Sequence, residues 1–294
     1  VVDGVEMVAL ALEAQRLGIE HLGIGTDARL VAVARHAQVL FCLRHGGLRK
    51  LDPGMALAYL HFRGTHLQRD PALQIGALGH TTFKRIMNLK IPTLAAINGA
   101  AMGGGVEVGL YHNYRTISKS PGGCDHYALP ECFLGLVPGW GGTQLVTKLC
   151  GPETAIELII TNPLNMNKMI NSKKAFEMGL ADKLIAPAEF MDDSIAFFER
   201  IITGEEKIER KKVDPKMSDD LYNKTKEFII GKSHSGAIGP FRALDLIKGA
   251  GEWSLDEGFQ KENETLADMI ISDQFKCGVY SLSLIHISEP TRPY

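Results

Sequence analysis

The feature that most constrains this chain is the run Asn98-Gly99-Ala100-Ala101-Met102-Gly103-Gly104-Gly105-Val106-Glu107. Thr93 to Asn98 reads as a buried strand, entered after Ile91-Pro92 has closed the helix before it. The glycines read as a turn, and a helix starts there and runs through Leu110. A strand that passes through glycine straight into a helix is an α/β unit. Glycine lets backbone approach a ligand with no Cβ in the way. The first N–H groups of a helix are unpaired and partly positive, which suits an oxygen that becomes negative during a reaction. A tight turn packed against a neighbour would use the same glycines, so the motif alone leaves both readings open.

The surrounding chain supports the α/β assignment. Leu73, Leu78, Ile86 and Leu89 outline a helix face before the strand. Tyr114 to Ser118 is a second strand, Pro121-Gly122-Gly123 a turn, and Gly139 to Gly142 open a helix running to Leu149. Pro152 starts another helix, Ser172 to Met178 forms a short one stopped by Gly179, and Leu184-Ile185 is a last strand. Helical patterns then cover 190–203, 219–230, 241–249 and 255–272, the last opened by Ser254 and Glu257 in capping-box spacing. The expected fold class is α/β, with a helical C-terminal region.

A second chemical signal lies in Leu129-Pro130-Glu131-Cys132-Phe133-Leu134-Gly135-Leu136-Val137-Pro138-Gly139-Trp140-Gly141-Gly142-Thr143-Gln144. One glutamate stands among apolar residues before a glycine-rich helix start. Apolar surroundings raise a carboxyl pKa, which makes it a proton donor near neutrality. A solvated loop glutamate is the alternative reading.

Composition narrows the function classes. The 294 residues are 45% hydrophobic and 22% charged, with a formal net charge of −2, so there is no electrostatic case for nucleic acid or a membrane surface. The five cysteines (Cys42, Cys124, Cys132, Cys150 and Cys277) include no C-x-x-C pair, which fits a reducing compartment. The histidines show no ligand spacing, and no metal is expected. No apolar run reaches the length of a membrane span.

Residues 98–110 and 129–144 together resemble the paired signatures of the crotonase family, the enoyl-CoA hydratases and isomerases. The matching region extends from about Asp70 to Ser281. It is most similar to the hydratase part of bifunctional enoyl-CoA hydratase/3-hydroxyacyl-CoA dehydrogenases, through residues 130–135, 241–247, Asp256-x-Gly258-Phe259 and Leu266-Ala267-Asp268. The resemblance implies a crotonase-like core of stacked ββα turns followed by helices. It implies trimers or pairs of trimers, or a thiolase-containing β-oxidation complex, and an acyl-CoA substrate in the cytoplasm. By position it gives Glu107 the role of base toward water and Glu131 that of proton donor to the α-carbon. Gly104 supplies an oxyanion N–H, and Gly139 lies near the reacting water. Both glutamates being present favours a hydratase over an isomerase or a non-catalytic acyl-CoA-binding protein. No cofactor is implied beyond the coenzyme A carried by the substrate; NAD would belong to a dehydrogenase domain outside this chain.

The resemblance has gaps. The second oxyanion N–H belongs near Phe41, where the chain reads Phe41-Cys42-Leu43-Arg44-His45-Gly46-Gly47-Leu48, with Gly47 as the candidate. Residues 1–68 match poorly, read as frameshifted, and lack the first family strands; Val5 to Leu17 as a helix and Ile19 to Ile24 as a strand are the elements expected there. The expected division is 1–68 as this start, 69–187 as the core, 188–281 as the helical region, and 282–294 as an artefactual tail. The whole is expected to be a piece of a longer bifunctional protein. A dinucleotide fingerprint at Gly23-Ile24-Gly25-Thr26-Asp27-Ala28 lacks both a strong preceding strand and an acidic residue about 20 positions on, so an oxidoreductase reading fails.

Overall fold

The computed structural model describes the backbone of residues 31–35, 68–119 and 126–288 and the side chains of 68–119 and 126–281. Its first continuous stretch opens with helix α1 (Arg69–Met87). Strand β2 (Leu94–Asn98) follows and pairs in parallel on one side with β1 (Val31–Arg35) and on the other with β4 (Tyr114–Ser118). β4 in turn pairs in parallel with β6 (Lys183–Ile185), giving the sheet order β1-β2-β4-β6. Leu94, Ala95, Ala96 and Ile97 are all buried, as expected of a strand covered on both faces of a parallel sheet.

A second sheet stacks beside the first. The chain leaves β2 at Gly99, whose φ of +107° is one that side chains resist, and enters β3 (Ala101–Met102). β3 pairs in parallel with β5 (Tyr127–Ala128), Ala101 opposite Tyr127. Each turn of chain is thus strand, corner, strand, then helix. In the first turn the helix is α2 (Gly104–Leu110). In the second it is a 3-10 turn (Pro130–Leu134), with α3 (Gly142–Cys150) beyond it. The stacked ββα core and the helical C-terminal region expected from the sequence are both present.

One face of the larger sheet meets the main core, where Ala95, Ile97 and Ile117 pack with Val106 and Leu110 of α2. On the other, Ala96 and Ile185 pack with Phe190 of α7 (Phe190–Thr203), and Thr116 shares a 2.9 Å hydroxyl hydrogen bond with Ser194. Between α3 and α7 come α4 (Pro152–Ile156), a π turn, α5 (Asn162–Leu164) and α6 (Ser172–Glu177).

The C-terminal region adds α8 (Asp219–Ser233), α9 (Ile238–Ala250), α10 (Leu255–Ile270) and α11 (Asp273–Ser288). Ser254 accepts from the Glu257 amide at 3.2 Å, the cap its spacing announced. α10 lies along α1, with Phe259 and Leu266 in the core and Asn263 Nδ2 donating to the Leu73 carbonyl at 3.1 Å.

Several details depart from expectation. β1 occupies 31–35, within the start expected to lack the first family strands, and α11 was not expected at all. α11 continues to Ser288, into the stretch set aside as a tail. The early helix and strand and the Pro121 turn lie outside the described residues.

Candidate active site

Glu107 sits in the first turns of α2, 2% exposed. Its Oε1 accepts the amides of Trp140 and Gly142, both at 2.9 Å. Those amides belong to the loop and first residue of α3, so the glycine-rich helix start of the second motif closes on the glutamate of the first. Burial pushes the Glu107 carboxyl up to about 7, and the two amides oppose that shift by stabilising its charge.

Glu131 arrives from the 3-10 turn. This turn is clasped from two sides: a Cβ on Gly239 of α9 would meet the Leu136 carbonyl at 2.8 Å, and one on Gly278 of α11 would meet the Leu134 carbonyl at 2.7 Å. The carboxyl reaches back to the first motif, where a Cβ on Gly103 would lie 2.7 Å from Glu131 Oε1. Oε2 is buried without a hydrogen-bond partner among the described residues. Burial first, and then the charge of Glu107, hold this carboxyl well above the usual carboxylate range. The two glutamates are therefore brought together but made unequal. Glu107 receives two amides from the α3 loop that favour its anion; Glu131 has only its own backbone amide to oppose burial and the neighbouring charge, and it holds its proton more strongly.

Gly104 is the first residue of α2. The Gly103 amide is taken by the Ala128 carbonyl at 2.9 Å, and the Gly103 carbonyl receives the amides of Val106 and Glu107. Gly104 stands between these bonds with its own N–H at a helix start, where no intrahelical acceptor exists. Gly139 is placed by packing: a Cβ there would meet Leu266 Cδ2 at 2.2 Å, so its absence lets α10 seat against the loop before α3. Gly47 lies outside the described residues.

Sequence reading missed Glu262. It lies on α10, fully buried, on the stripe carrying Phe259 and Leu266. Its Oε1 accepts the Gly141 amide; Oε2 accepts the Thr143 amide at 3.0 Å and the Thr143 hydroxyl. An acidic residue on an apolar helical stripe was the available signal. Burial, and then the charge of Glu107, push its carboxyl up to about 8. His80 of α1 places Nε2 3.6 Å from Glu262 Oε1 and Nδ1 3.3 Å from the Tyr111 hydroxyl. Burial, reinforced by Lys84, brings His80 down to about 4, so the imidazole is neutral near pH 7. His112 is likewise neutral, brought to about 4 chiefly by burial. Trp140 packs edge-on to Phe83 at 5.6 Å. Among the described residues no cluster suits a metal ion, and no helix is long and apolar enough to cross a membrane.

These shifts set a pH dependence of stability. Carboxyls ordinarily titrating at 4.5 are protonated in the native state up to about 7 for Glu107 and about 8 for Glu262. Between those limits the native state binds more protons than the unfolded chain, so stability falls as pH rises. His80 and His112 act oppositely, adding stability as pH rises from about 4, but only up to the ordinary 6.5. The urea midpoint should therefore fall from pH 6.5 to pH 8. A rising midpoint across that window would mean that the native carboxyls are ionised.

Comparison with known proteins bears on the family and the fold. A family model described as enoyl-CoA hydratase/isomerase matches residues 68–227. The fatty acid oxidation complex subunit alpha of Pseudomonas putida strain F1 is 30% identical over 188 residues, covering 61% of this chain and 25% of that protein. Its counterpart in Shewanella frigidimarina is 24% identical over 231 residues, covering 76% of this chain and 32% of the relative. The chain thus spans a quarter to a third of the length of these relatives. A crystal structure from Acinetobacter baumannii, named for the enoyl-CoA hydratase/isomerase group, superposes with a TM-score of 0.52 at 19% identity. It covers 95% of this chain and 87% of that one, a likeness of fold.

Proposed function

The chain belongs to the enoyl-CoA hydratase/isomerase family, and from that premise we propose that it adds water across the double bond of a trans-2-enoyl-CoA. The observation that carries the choice is the inequality of Glu107 and Glu131. Hydration needs a base for water, an acid for the α-carbon and a donor for the enolate oxygen. Glu107, with both amides on Oε1, offers Oε2 to the water. As the water oxygen bonds to the β-carbon, its proton passes to Glu107 and the π electrons move onto the thioester oxygen. The Gly104 N–H stabilises that oxygen. Glu131 then gives its proton to the α-carbon, and a proton returned from Glu107 resets the pair. Gly47 is the candidate for a second N–H on the same oxygen, and Gly139 for a wall beside the water.

The relatives named fatty acid oxidation complex subunit alpha support a fatty acyl-CoA thioester as substrate and a role in β-oxidation. They also support, by name, assembly into a larger complex, with a trimer or hexamer of this chain as the alternative. A cytoplasmic setting fits that role. Isomerisation of the double bond uses the same enolate and needs one carboxyl rather than two, so it is the second reading. The test offers trans-2- and cis-3-enoyl-CoA separately and identifies the products. A 3-hydroxyacyl-CoA as the dominant product is expected. Faster migration than hydration would replace the hydratase reading with isomerase, and binding of both thioesters without turnover would replace it with a binding role.

A further inference from the structure

Glu262 is used by no step of the hydration set out above, yet it occupies the most enclosed position in the site, with 0% exposure. Burying a carboxyl is costly unless its oxygens are hydrogen-bonded. Here the donors come from the same four-residue strip that serves Glu107, and they alternate. The amides of Trp140 and Gly142 go to Glu107; those of Gly141 and Thr143 go to Glu262. The loop strip is therefore gripped from both sides, by α2 through one carboxyl and by α10 through the other. Its centre, Gly141, has a φ of +101°, and Gly142 follows, so the strip has little conformational preference of its own to keep its amides aimed. The Thr143 hydroxyl donates to Glu262 while accepting from Gln144 Nε2 at 3.0 Å, and Gln144 also donates to the Leu246 carbonyl of α9 at 3.1 Å.

We propose that Glu262 is a positioning residue for the hydration step: by holding the Gly141 and Thr143 amides it keeps those of Trp140 and Gly142 on Glu107, which fixes the aim and the ionisation of the base. This rests on the hydratase reading above. The ionisable groups around Glu262 are Glu107 from α2, Glu131 from the 3-10 turn, His80 from α1 and Tyr111 just after α2. His80 is neutral, and burial together with the two glutamate charges keeps the Tyr111 phenol protonated. Glu262 keeps its own proton up to about 8, so near 7 what it lends Glu107 is the aim of the loop amides rather than a charge, and without those amides Glu107 ionises at higher pH.

The experiment compares the full chain with Glu262→Gln, Glu107→Gln and the double variant. In Glu262→Gln the new side chain keeps the size of the old one, but its NH2 group cannot accept an amide. There kcat should fall about 100-fold, the loss typical of a misplaced catalytic group. KM should stay within about threefold of wild type, because Glu262 is fully buried and its oxygens are taken by Gly141 and Thr143. The acid limb of kcat/KM should move to higher pH, because Glu107 loses the amides that favour its anion. The double variant should be no slower than Glu107→Gln alone, since a group acting through Glu107 has nothing left to position. Should Glu262→Gln not fold, Thr143→Val decides: it removes only the hydroxyl that seats Glu262 and should shift the limb in the same direction with a smaller kcat loss. Losses that multiply in the double variant, or a destabilised protein with an unmoved limb and wild-type kcat, would overturn the proposal. A wild-type chain without hydration activity defeats the hydratase reading itself. Wild-type hydration crippled by Glu107→Gln but indifferent to Glu262 defeats the positioning role alone.

Discussion

Glu107→Gln and Glu131→Gln should each slow hydration by about 100- to 10,000-fold, the range typical of a lost proton transfer, while the protein stays folded and keeps its affinity for a saturated acyl-CoA. Glutamine preserves shape at both positions. At Glu107 it still lets a carbonyl oxygen accept the Trp140 and Gly142 amides, so the loop before α3 should survive. At Glu131 it replaces a carboxyl whose Oε2 has no partner among the described residues, so no bond to Oε2 is broken. What disappears is a base in one case and an acid in the other. The pH profiles should separate them: activity that rises as Glu107 ionises near 7 is the mark of the base. The decline at higher pH, as the protonated partner is lost, belongs to Glu131 and to the coupled pair as a whole. Equal activity in wild type and both variants would remove catalysis from these residues altogether. Loss confined to Glu131→Gln, with double-bond migration the faster reaction, would point to an isomerase.

Gly104→Val should cost about 2.7–4 kcal/mol in the hydration barrier, the usual loss when one oxyanion donor is withdrawn. Gly104 is not among the glycines with positive φ, so valine can take its backbone conformation and the helix should still form. The branched side chain would instead stand where the thioester must approach the N–H. Gly103 gives the contrasting case. Its φ of +54° resists any side chain, and a Cβ there would meet Glu131 Oε1 at 2.7 Å. A defect at Gly103 would therefore mix folding with catalysis, whereas Gly104→Val tests the donor. A Gly104→Val protein with wild-type kcat would place the oxyanion elsewhere.

Much of the core was legible because its signals are local. Thr93 to Asn98 is short, apolar and bounded by proline and glycine, and the strand forms at Leu94–Asn98. Residues 190–203 carry a helical period, and the helix forms at Phe190–Thr203. β3 and β5 escaped notice because two-residue strands have no period to detect. The 3-10 turn at Glu131 was hidden for a related reason: five residues with a proline start look like a loop until α9 and α11 close around them.

The sequence by itself determined the strand-glycine-helix unit, the family resemblance and the choice of Glu107 and Glu131, because each depends on residues adjacent in the chain. Only the tertiary structure decided how those carboxyls behave. Trp140 and Gly142 reach Glu107 across 33 and 35 positions, and Glu262 reaches Gly141 and Thr143 across 121 and 119. A glutamate's ionisation follows from the donors it receives, the water it loses and the charges beside it. In this chain all three come from segments far away in sequence, so three glutamates differ in donors, burial and neighbouring charge according to where the fold places them.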